Sequence, residues 1–346
     1  MSRIIPFDLN NASVGECIAP CDRGWMVDGV SSTSGGGNTT IVLSRSVMQK
    51  GWFQPGRMVL VDHDKLPSWA GVVDTPIGML APAQVTLYNC GYLLKLRSPD
   101  AAQVMKGTVA TIAGKMIEQA NAQEEMYLRL GTAGGSTISL DYPMDQRSYW
   151  DQLTALVSKT GSEMIFRPKR EPADGNRLYI YVDIMERVGI DTDFLLHDGA
   201  NGNVKVTAAV VDREIKNRII GINGANAASE RLSTPPQVDA ASIQAFRMRS
   251  AVEQIRTATT ASALLAQTQQ LVSDTSVPVL KFQLQVMDQG DTFRRMAEGN
   301  GVILHSSKVV LPDGRRGWRG TGRIMAMAYN EKQNSLGITL EAKYDL

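Results

Sequence analysis

The pattern that most constrains this chain is a series of short, mainly apolar segments separated by turn residues near its start. One runs from Arg57 to Val61 and another from Trp69 to Val73, while Gln84–Cys90 alternates polar and apolar side chains. Alternation with a period of two is typical of a half-buried strand. A turn at Phe53–Gly56 and a glycine-rich loop at Ser31–Asn38 punctuate the same region. The pattern predicts an antiparallel β-barrel or sandwich.

Helical spacing replaces this alternation near Ser98. Apolar residues recur about every 3.6 positions over Asp100–Met105 and again over Val109–Gln123, which predicts helices there. A further helix is predicted to open at Ser148 and to end at Gly161. Two strands are predicted after it, at Glu163–Arg167 and Arg177–Ile184. A helix followed by two strands indicates a second, mixed domain.

Strands return in the second half of the chain, at Val204–Val211 and Asn217–Asn223. The segment Asp239–Val272 then has a helical pattern that Asp239 can cap and that the threonines at Thr257–Thr260 interrupt. Strands are predicted again from Val279 to the end of the chain.

These segments divide the 346 residues into four parts and predict the α+β class. We expect a first β-barrel domain at 1–98, a mixed α+β domain at 99–203 and a helical insertion at 236–275. A second β-barrel domain is expected to combine 204–235 with 276–346.

The two predicted barrels share a short Trp-x-Gly sequence pattern. Trp69 and Gly71 stand two positions apart within a strand of the first, and Trp318 and Gly320 do so in the second. Two interpretations remain open: any two antiparallel sheets share such features, or the barrels are related to each other.

Charge and composition exclude whole classes of protein. Lys and Arg total 36 and Asp and Glu total 35, so a net charge of +1 argues against binding nucleic acid through bulk positive charge. No apolar run is long enough for a transmembrane helix, and no secretory signal is visible. The three cysteines form no C-x-x-C pair, so neither a disulfide framework nor a zinc site is expected.

Motifs of enzymatic chemistry are missing from the sequence. It contains no phosphate-binding G-x-x-x-x-G-K-[ST] loop, no G-x-S-x-G elbow and no H-E-x-x-H helix. The run Asp62-His63-Asp64 could hold a metal, but a solvated loop is favoured because no second ligand cluster accompanies it. We therefore expect no catalytic, cofactor-binding or metal-binding residue.

Arginines crowd the C-terminal region. The group comprises Arg294, Arg295, Arg315, Arg316, Arg319 and Arg323. They could contact phosphate, pair with carboxylates of another subunit, or simply face solvent. The balanced charge of the chain favours pairing. The candidate inter-subunit contacts are Arg315, Arg316, Arg319 and Arg323.

Together, these segments resemble phage tail baseplate hub and tail-tip hub proteins. Asp239–Phe246 is similar to the D-x-x-S-I-x-x-Y-G helix opening of that family, although Arg247 stands where the glycine is usual. The region Gly161–Ile184 is similar to the family's middle domain. The strands around Phe53–Gly56 and Trp69–Val73 resemble its first barrel.

The resemblance implies a homotrimer in which each subunit carries two tail-tube-like antiparallel β-barrels. Six barrels would then form a ring that adapts a sixfold tail tube to a threefold tip and leaves a lumen for DNA. Strand edges near Val42–Ser44 and Gly322–Met327 are candidates for barrel–barrel contacts.

The implied partners are a distal tail protein ring or tail tube protein above, a tip, spike or fibre protein below, and a tape measure protein in the lumen. DNA would pass transiently without stable binding, and this chain would not insert into a membrane. The protein would be made in the bacterial host cytoplasm and reside in the virion tail. The alternatives are a tail-associated cell-wall polysaccharide or peptidoglycan hydrolase and a carbohydrate-binding module.

Overall fold

The computed structural model describes residues 2–19, 21–26, 39–77, 83–137, 139–211, 215–223, 232–255, 260–289, 291–311 and 314–344. The predicted glycine-rich loop at 31–38 and most of the predicted threonine bend, 257–259, lie outside these ranges.

The first part of the chain is a curled antiparallel sheet. Its strands are β1 (Ser2–Pro6), β2 (Cys17–Ala19), β3 (Cys21–Met26), β4 (Thr39–Leu43), β5 (Met58–His63), β6 (Leu66–Ile77) and β7 (Ala83–Asn89). They pair in the order β4-β7-β6-β5-β1-β2, and β2 lies back against β4. Two short helices follow β4 and β7: α1 (Arg45–Met48) and α2 (Gly91–Lys95). The result is the barrel that the alternating pattern predicted.

The mixed domain packs helices against a small sheet. Its elements are β8 (Gln103–Gly107), α3 (Val109–Gln123), β9 (Leu128–Ala133), β10 (Leu140–Met144), α4 (Tyr149–Lys159), β11 (Glu163–Glu171) and β12 (Arg177–Met185). β12 pairs antiparallel with β11 and parallel with β9. The outer face of β1, β5 and β6 packs against this domain, so β5 is buried on both faces.

One predicted helix in this domain is wrong. Asp100–Met105 has helical spacing, yet Gln103–Gly107 forms β8 and pairs with β10. Met105 lies opposite Tyr142 in that ladder, and both side chains are buried. Six residues are too few for periodicity to distinguish a helix from a strand, so the distant partner decides.

The second barrel is built from segments on both sides of the insertion. Its strands are β13 (Asp191–His197), β14 (Val204–Val211), β18 (Val279–Val286), β19 (Gly301–Val310), β20 (Arg316–Asn330) and β21 (Ser335–Lys343). They follow the order β14-β18-β21-β20-β19-β13. β13 lies within the 99–203 segment that we assigned to the mixed domain, but it pairs parallel with β19 in this barrel.

The insertion is a small α/β unit. It contains β15 (Arg218–Ile222), β16 (Gln237–Val238), α5 (Ala240–Phe246), β17 (Ser250–Gln254) and α6 (Ala261–Thr275). β15 lies within the 204–235 segment that we assigned to the second barrel, but it pairs with β16 and β17 of this unit. Asp239 caps α5 as predicted, since its carboxylate accepts from the Ser242 amide at 2.9 Å. The helical pattern predicted to continue beyond α5 is wrong, because β17 pairs parallel with β15. Arg247 ends the helix with φ +62°, a backbone conformation that glycine adopts more readily than arginine.

β3 joins the two barrels into one surface. Its first residues, Cys21 and Asp22, pair with β4, and its later residues pair with β20 from Ala326 to Tyr329. A 13-stranded sheet therefore runs through both barrels among the described residues. With the helices of the mixed domain and the insertion, the architecture confirms the predicted α+β class with barrel-like sheets.

The two Trp-x-Gly pairs share one packing arrangement. A Cβ on Gly71 would lie 2.3 Å from the Trp69 ring, and one on Gly320 would lie 2.7 Å from the Trp318 ring. In each barrel the indole thus covers the glycine two residues later on the same face of the strand. The shared Trp-x-Gly pattern in the sequence corresponds to the same local packing in both barrels.

Gly71→Ala should destabilise the protein by about 1–3 kcal/mol, the usual cost of forcing atoms into a packed site. The new methyl group would also meet the Tyr88 carbonyl oxygen at 2.6 Å, which cannot move freely. Gly337→Ala is the matched control, because a Cβ there would be 3.6 Å from its nearest neighbour. Urea denaturation of both variants checks this, and equal midpoints would contradict the packing argument.

Candidate assembly surfaces and the domain junction

The C-terminal arginines do not form one cluster. Arg316 and Arg319 are exposed on β20, where they lie opposite Val310 and His305 of β19. The Arg315 guanidinium instead donates to the Tyr344 hydroxyl at 3.0 Å. Arg295 lies over the Phe194 ring, 5.3 Å from its centroid. Arg315 is exposed as well, so Arg315, Arg316 and Arg319 remain exposed candidates, and Arg316 and Arg319 share one strand.

Arg323 has its partners within the chain. Its guanidinium donates to both carboxylate oxygens of Glu163 on β11, and to the carbonyl oxygens of Gly299 at 3.0 Å and Val188 at 2.7 Å. The Arg323 side chain is 19% exposed and that of Glu163 is 6% exposed. This ion pair connects the second barrel to the mixed domain.

Two segments of the backbone pass very close to each other at the same place. Gly189 and Gly299 have φ of +82° and +86°, and a Cβ on Gly189 would lie 2.2 Å from the Gly299 carbonyl carbon. The Glu163 carboxylate also accepts from the Val188 amide at 2.6 Å. We call these five residues, Glu163, Val188, Gly189, Gly299 and Arg323, the domain junction. Sequence reasoning missed this junction. The one local signal for it in the sequence is Gly189, which follows Val188 shortly after the end of β12.

His63 belongs to the contact between the barrels. Its ring lies 5.3 Å from the Tyr329 ring of the second barrel, and its Nδ1 accepts from the Lys65 amide at 3.2 Å. Burial, with the nearby Arg23 guanidinium, lowers the pKa of His63. The favoured solvated loop at Asp62-His63-Asp64 is therefore wrong for His63, whose side chain is 6% exposed. Across the described residues, no group of three His, Cys, Asp or Glu side chains could hold a metal ion.

The strand edges predicted to make barrel–barrel contacts have neighbours within the chain. β4 pairs with β7 along its length and with β3 at Thr40 and Ile41. Ala326 and Met327 of β20 pair with Met26 and Trp25 of β3. The segment Gly322–Met327 thus contributes to a barrel–barrel contact inside one subunit.

β14 presents a different kind of edge. It is the last strand of the long sheet, and its only ladder among the described residues is with β18. The stretch Val206–Val211 has no charged side chain, and Val210 and Val211 are exposed. An uncharged, apolar edge strand is a template for pairing with another chain. The sequence predicted this strand, but only the topology places it at an edge.

A concave surface crosses the sheet between the barrels. It encloses about 750 Å³ and is lined from β3, β4, β14, β18, β20 and β21. Small and amide side chains dominate it, as at Thr207, Gln283, Gln285, Ser335 and Thr339. No Asp, Glu or Lys side chain is among the described residues that line it, and Arg23 is buried. Arg23 is therefore the one charged side chain among the described residues that line this surface.

The fold is that of phage tail proteins. No protein-family model matches the chain, and no curated protein matches its sequence. Its structure is similar to prophage tail protein gp18 from Listeria monocytogenes, with a TM-score of 0.58, 12% identity and coverage of 98% of this chain and 94% of the other.

Two further tail proteins share the fold. A tail protein from Neisseria meningitidis has a TM-score of 0.58 and 12% identity, with coverage of 99% of this chain and 97% of the other. The prophage MuSo2 43 kDa tail protein from Shewanella oneidensis has a TM-score of 0.56 and 11% identity, with 98% of both chains covered. The resemblance to phage tail proteins seen in the sequence is thus confirmed at the level of the fold. Within the described part of the chain, no helix is long and apolar enough to cross a membrane.

Proposed function

We propose that this protein is a structural component of a phage tail, the tip or baseplate hub, that assembles as a homotrimeric ring. The observation that carries the proposal is the pair of barrels joined side by side through β3. A unit with two similar barrels presents two neighbouring positions of a ring. Three such subunits supply six positions with threefold symmetry, which is the geometry needed between a sixfold tube and a threefold tip.

The edge of β14 supports ring formation. A closed ring would cover this uncharged edge, which otherwise invites uncontrolled pairing with other chains. Head-to-tail contacts between subunits give a closed ring if the rotation closes and an open filament if it does not.

The concave surface supports a role in the lumen. Proteins hold DNA mainly through Lys and Arg contacts with phosphate, and each such contact adds salt-dependent affinity. A wall of Thr, Ser, Gln and Gly residues would let DNA slide past without stable binding.

The remaining partners follow from this position. We propose a distal tail ring or tail tube protein on one side and a tip, spike or fibre protein on the other, with the tape measure protein in the lumen. The protein would be located at the virion tail tip and would act without catalysis.

Light scattering after size exclusion, with negative-stain imaging, tests the proposal. The expected result is a trimer that appears as a ring with a central opening. A monomer that lyses cell walls would instead support the alternative of a tail-associated hydrolase.

Charge reversal of Arg316 and Arg319 together should weaken the trimer. Both guanidinium groups are exposed on β20, so their replacement by Glu removes inter-subunit ion pairs without opening the core. Arg323 is unsuitable for this test, because its loss would disturb the domain junction. Native mass spectrometry should show dissociation at concentrations where the wild type remains trimeric.

The control reverses Lys106 and Lys115 on the mixed domain, which changes net charge by the same amount. Both residues are exposed and lie outside the second barrel. Equal dissociation of the two double variants would show that net charge acts, whereas an unchanged trimer in the arginine variant would refute the assignment of these contacts.

A further inference from the structure

A small cavity lies where three parts of the protein meet. It measures about 20 Å³ and is lined by Trp69 of β6, by Phe166 of β11 and by Glu298, which precedes β19. The first barrel, the mixed domain and the second barrel each contribute one of these side chains. The cavity is therefore at a place where all three parts must fit together.

Two of the residues that line this cavity each carry a buried side-chain polar atom that has no hydrogen-bond partner in the protein. They are Nε1 of Trp69 and Oε2 of Glu298. Trp69 is 3% exposed and Glu298 is 8% exposed, so bulk water does not reach either group freely. A buried polar group without a partner destabilises a fold, and native proteins usually satisfy such groups.

Other polar groups around the cavity are already engaged. The Ser68 hydroxyl donates to Asp62 at 2.6 Å, and the Asn89 side-chain oxygen accepts from the Gly91 amide at 2.8 Å. Neither group hydrogen-bonds to Trp69 Nε1 or to Glu298 Oε2.

We propose that one ordered water molecule occupies this cavity, accepts a hydrogen bond from Trp69 Nε1 and donates one to Glu298 Oε2. The volume fits a single water, which needs about 10–15 Å³ by this measure. The chemistry excludes a cation, because the indole N–H is only a donor and would point its positive end at the ion. The water links the first barrel to the second at the edge of the mixed domain. This site is independent of the proposed role in the tail.

The carboxyl group makes the site sensitive to pH. Burial raises the pKa of Glu298 to about 6, and the Arg167 guanidinium on β11 opposes that effect. The Cys90 thiol also lines the cavity, and burial raises its pKa, so it stays neutral. Because the pKa of Glu298 is higher in the folded state than in the unfolded state, the folded state binds more protons. Stability is therefore greatest below the unfolded pKa and falls as the pH rises through about 6.

Glu298→Gln tests this coupling. The amide keeps a hydrogen-bonding group at the cavity but cannot ionise, so the unfolding temperature should shift upward at pH 7.5 relative to the wild type and match it near pH 4, below the unfolded pKa. Glu118→Gln is the control, because that carboxylate is exposed on α3. A wild-type pH profile in Glu298→Gln would overturn the assignment of the titration to this carboxyl group.

A crystal structure of the full chain at pH 7.5 tests the water directly. The expected density is one water within hydrogen-bond distance of both atoms, and Trp69→Phe, which removes the donor, should lose it. A dry cavity in the wild type, or an ion bound to the carboxylate alone, would overturn the proposal.

Discussion

Arg323→Ala should lower the free energy of unfolding by about 3 kcal/mol, the low end of the cost of breaking a buried ion pair. The loss is large because the Glu163 carboxyl group, 6% exposed, would be left in the interior without its partner. The carbonyl oxygens of Val188 and Gly299 would lose their donor at the same time. The low end applies because Arg323 itself is 19% exposed, so water can partly replace it.

Urea denaturation followed by tryptophan fluorescence measures this loss. Lys106→Ala is the control, because its pair with Asp141 at 3.3 Å is well exposed and should contribute less than about 1 kcal/mol. The double variant Glu163→Gln with Arg323→Ala should recover part of the loss, since no uncompensated carboxylate then remains. A loss in Arg323→Ala no larger than that in Lys106→Ala would contradict the structural role of the junction.

Gly189→Ala should destabilise the protein by about 2–5 kcal/mol, through a left-handed backbone conformation and a steric clash acting together. Its φ of +82° disfavours any side chain. Its Cβ would also lie 2.2 Å from the Gly299 carbonyl carbon and 2.5 Å from the Asn300 amide nitrogen. These are backbone atoms, so no rotamer change relieves the contact. The yield of folded protein and its thermal midpoint should both fall.

Gly175→Ala separates the two causes. Gly175 has φ +64°, but no atom lies within 4 Å of a Cβ placed there. This variant therefore retains the backbone strain alone, about 1 kcal/mol. If both alanine variants lose the same stability, the close crossing of Gly189 and Gly299 is unimportant.

The sequence predicted helices correctly where the signal, periodicity or a cap, lies within a few residues. The predicted helix Val109–Gln123 is α3, and the helix opened by Ser148 is α4, since periodicity and capping act within a few residues. Predictions failed where a distant partner decides. β8 and β17, which had helical spacing, are strands because β10 and β15 offer them hydrogen bonds. β13 joins the second barrel because its partner is β19, more than a hundred residues away.

The candidate contacts show the same division. The sequence predicted an arginine-rich C-terminal region, but exposed Arg316 and Arg319 could not be distinguished from Arg323, which is held by Glu163 across 160 positions. The water site could not be predicted either, because Trp69 and Glu298 become neighbours only when the barrels pack together.

The sequence by itself determined the alternating strands, helices α3 and α4, the balanced charge and the resemblance to phage tail proteins. These depend on residue type and on spacing along the chain. Only the tertiary structure decided that β3 joins the barrels, that β14 remains at an edge and that one arginine closes the domain junction. The physical reason is that hydrogen bonds and burial are satisfied in space, between groups whose separation along the chain carries no local signal.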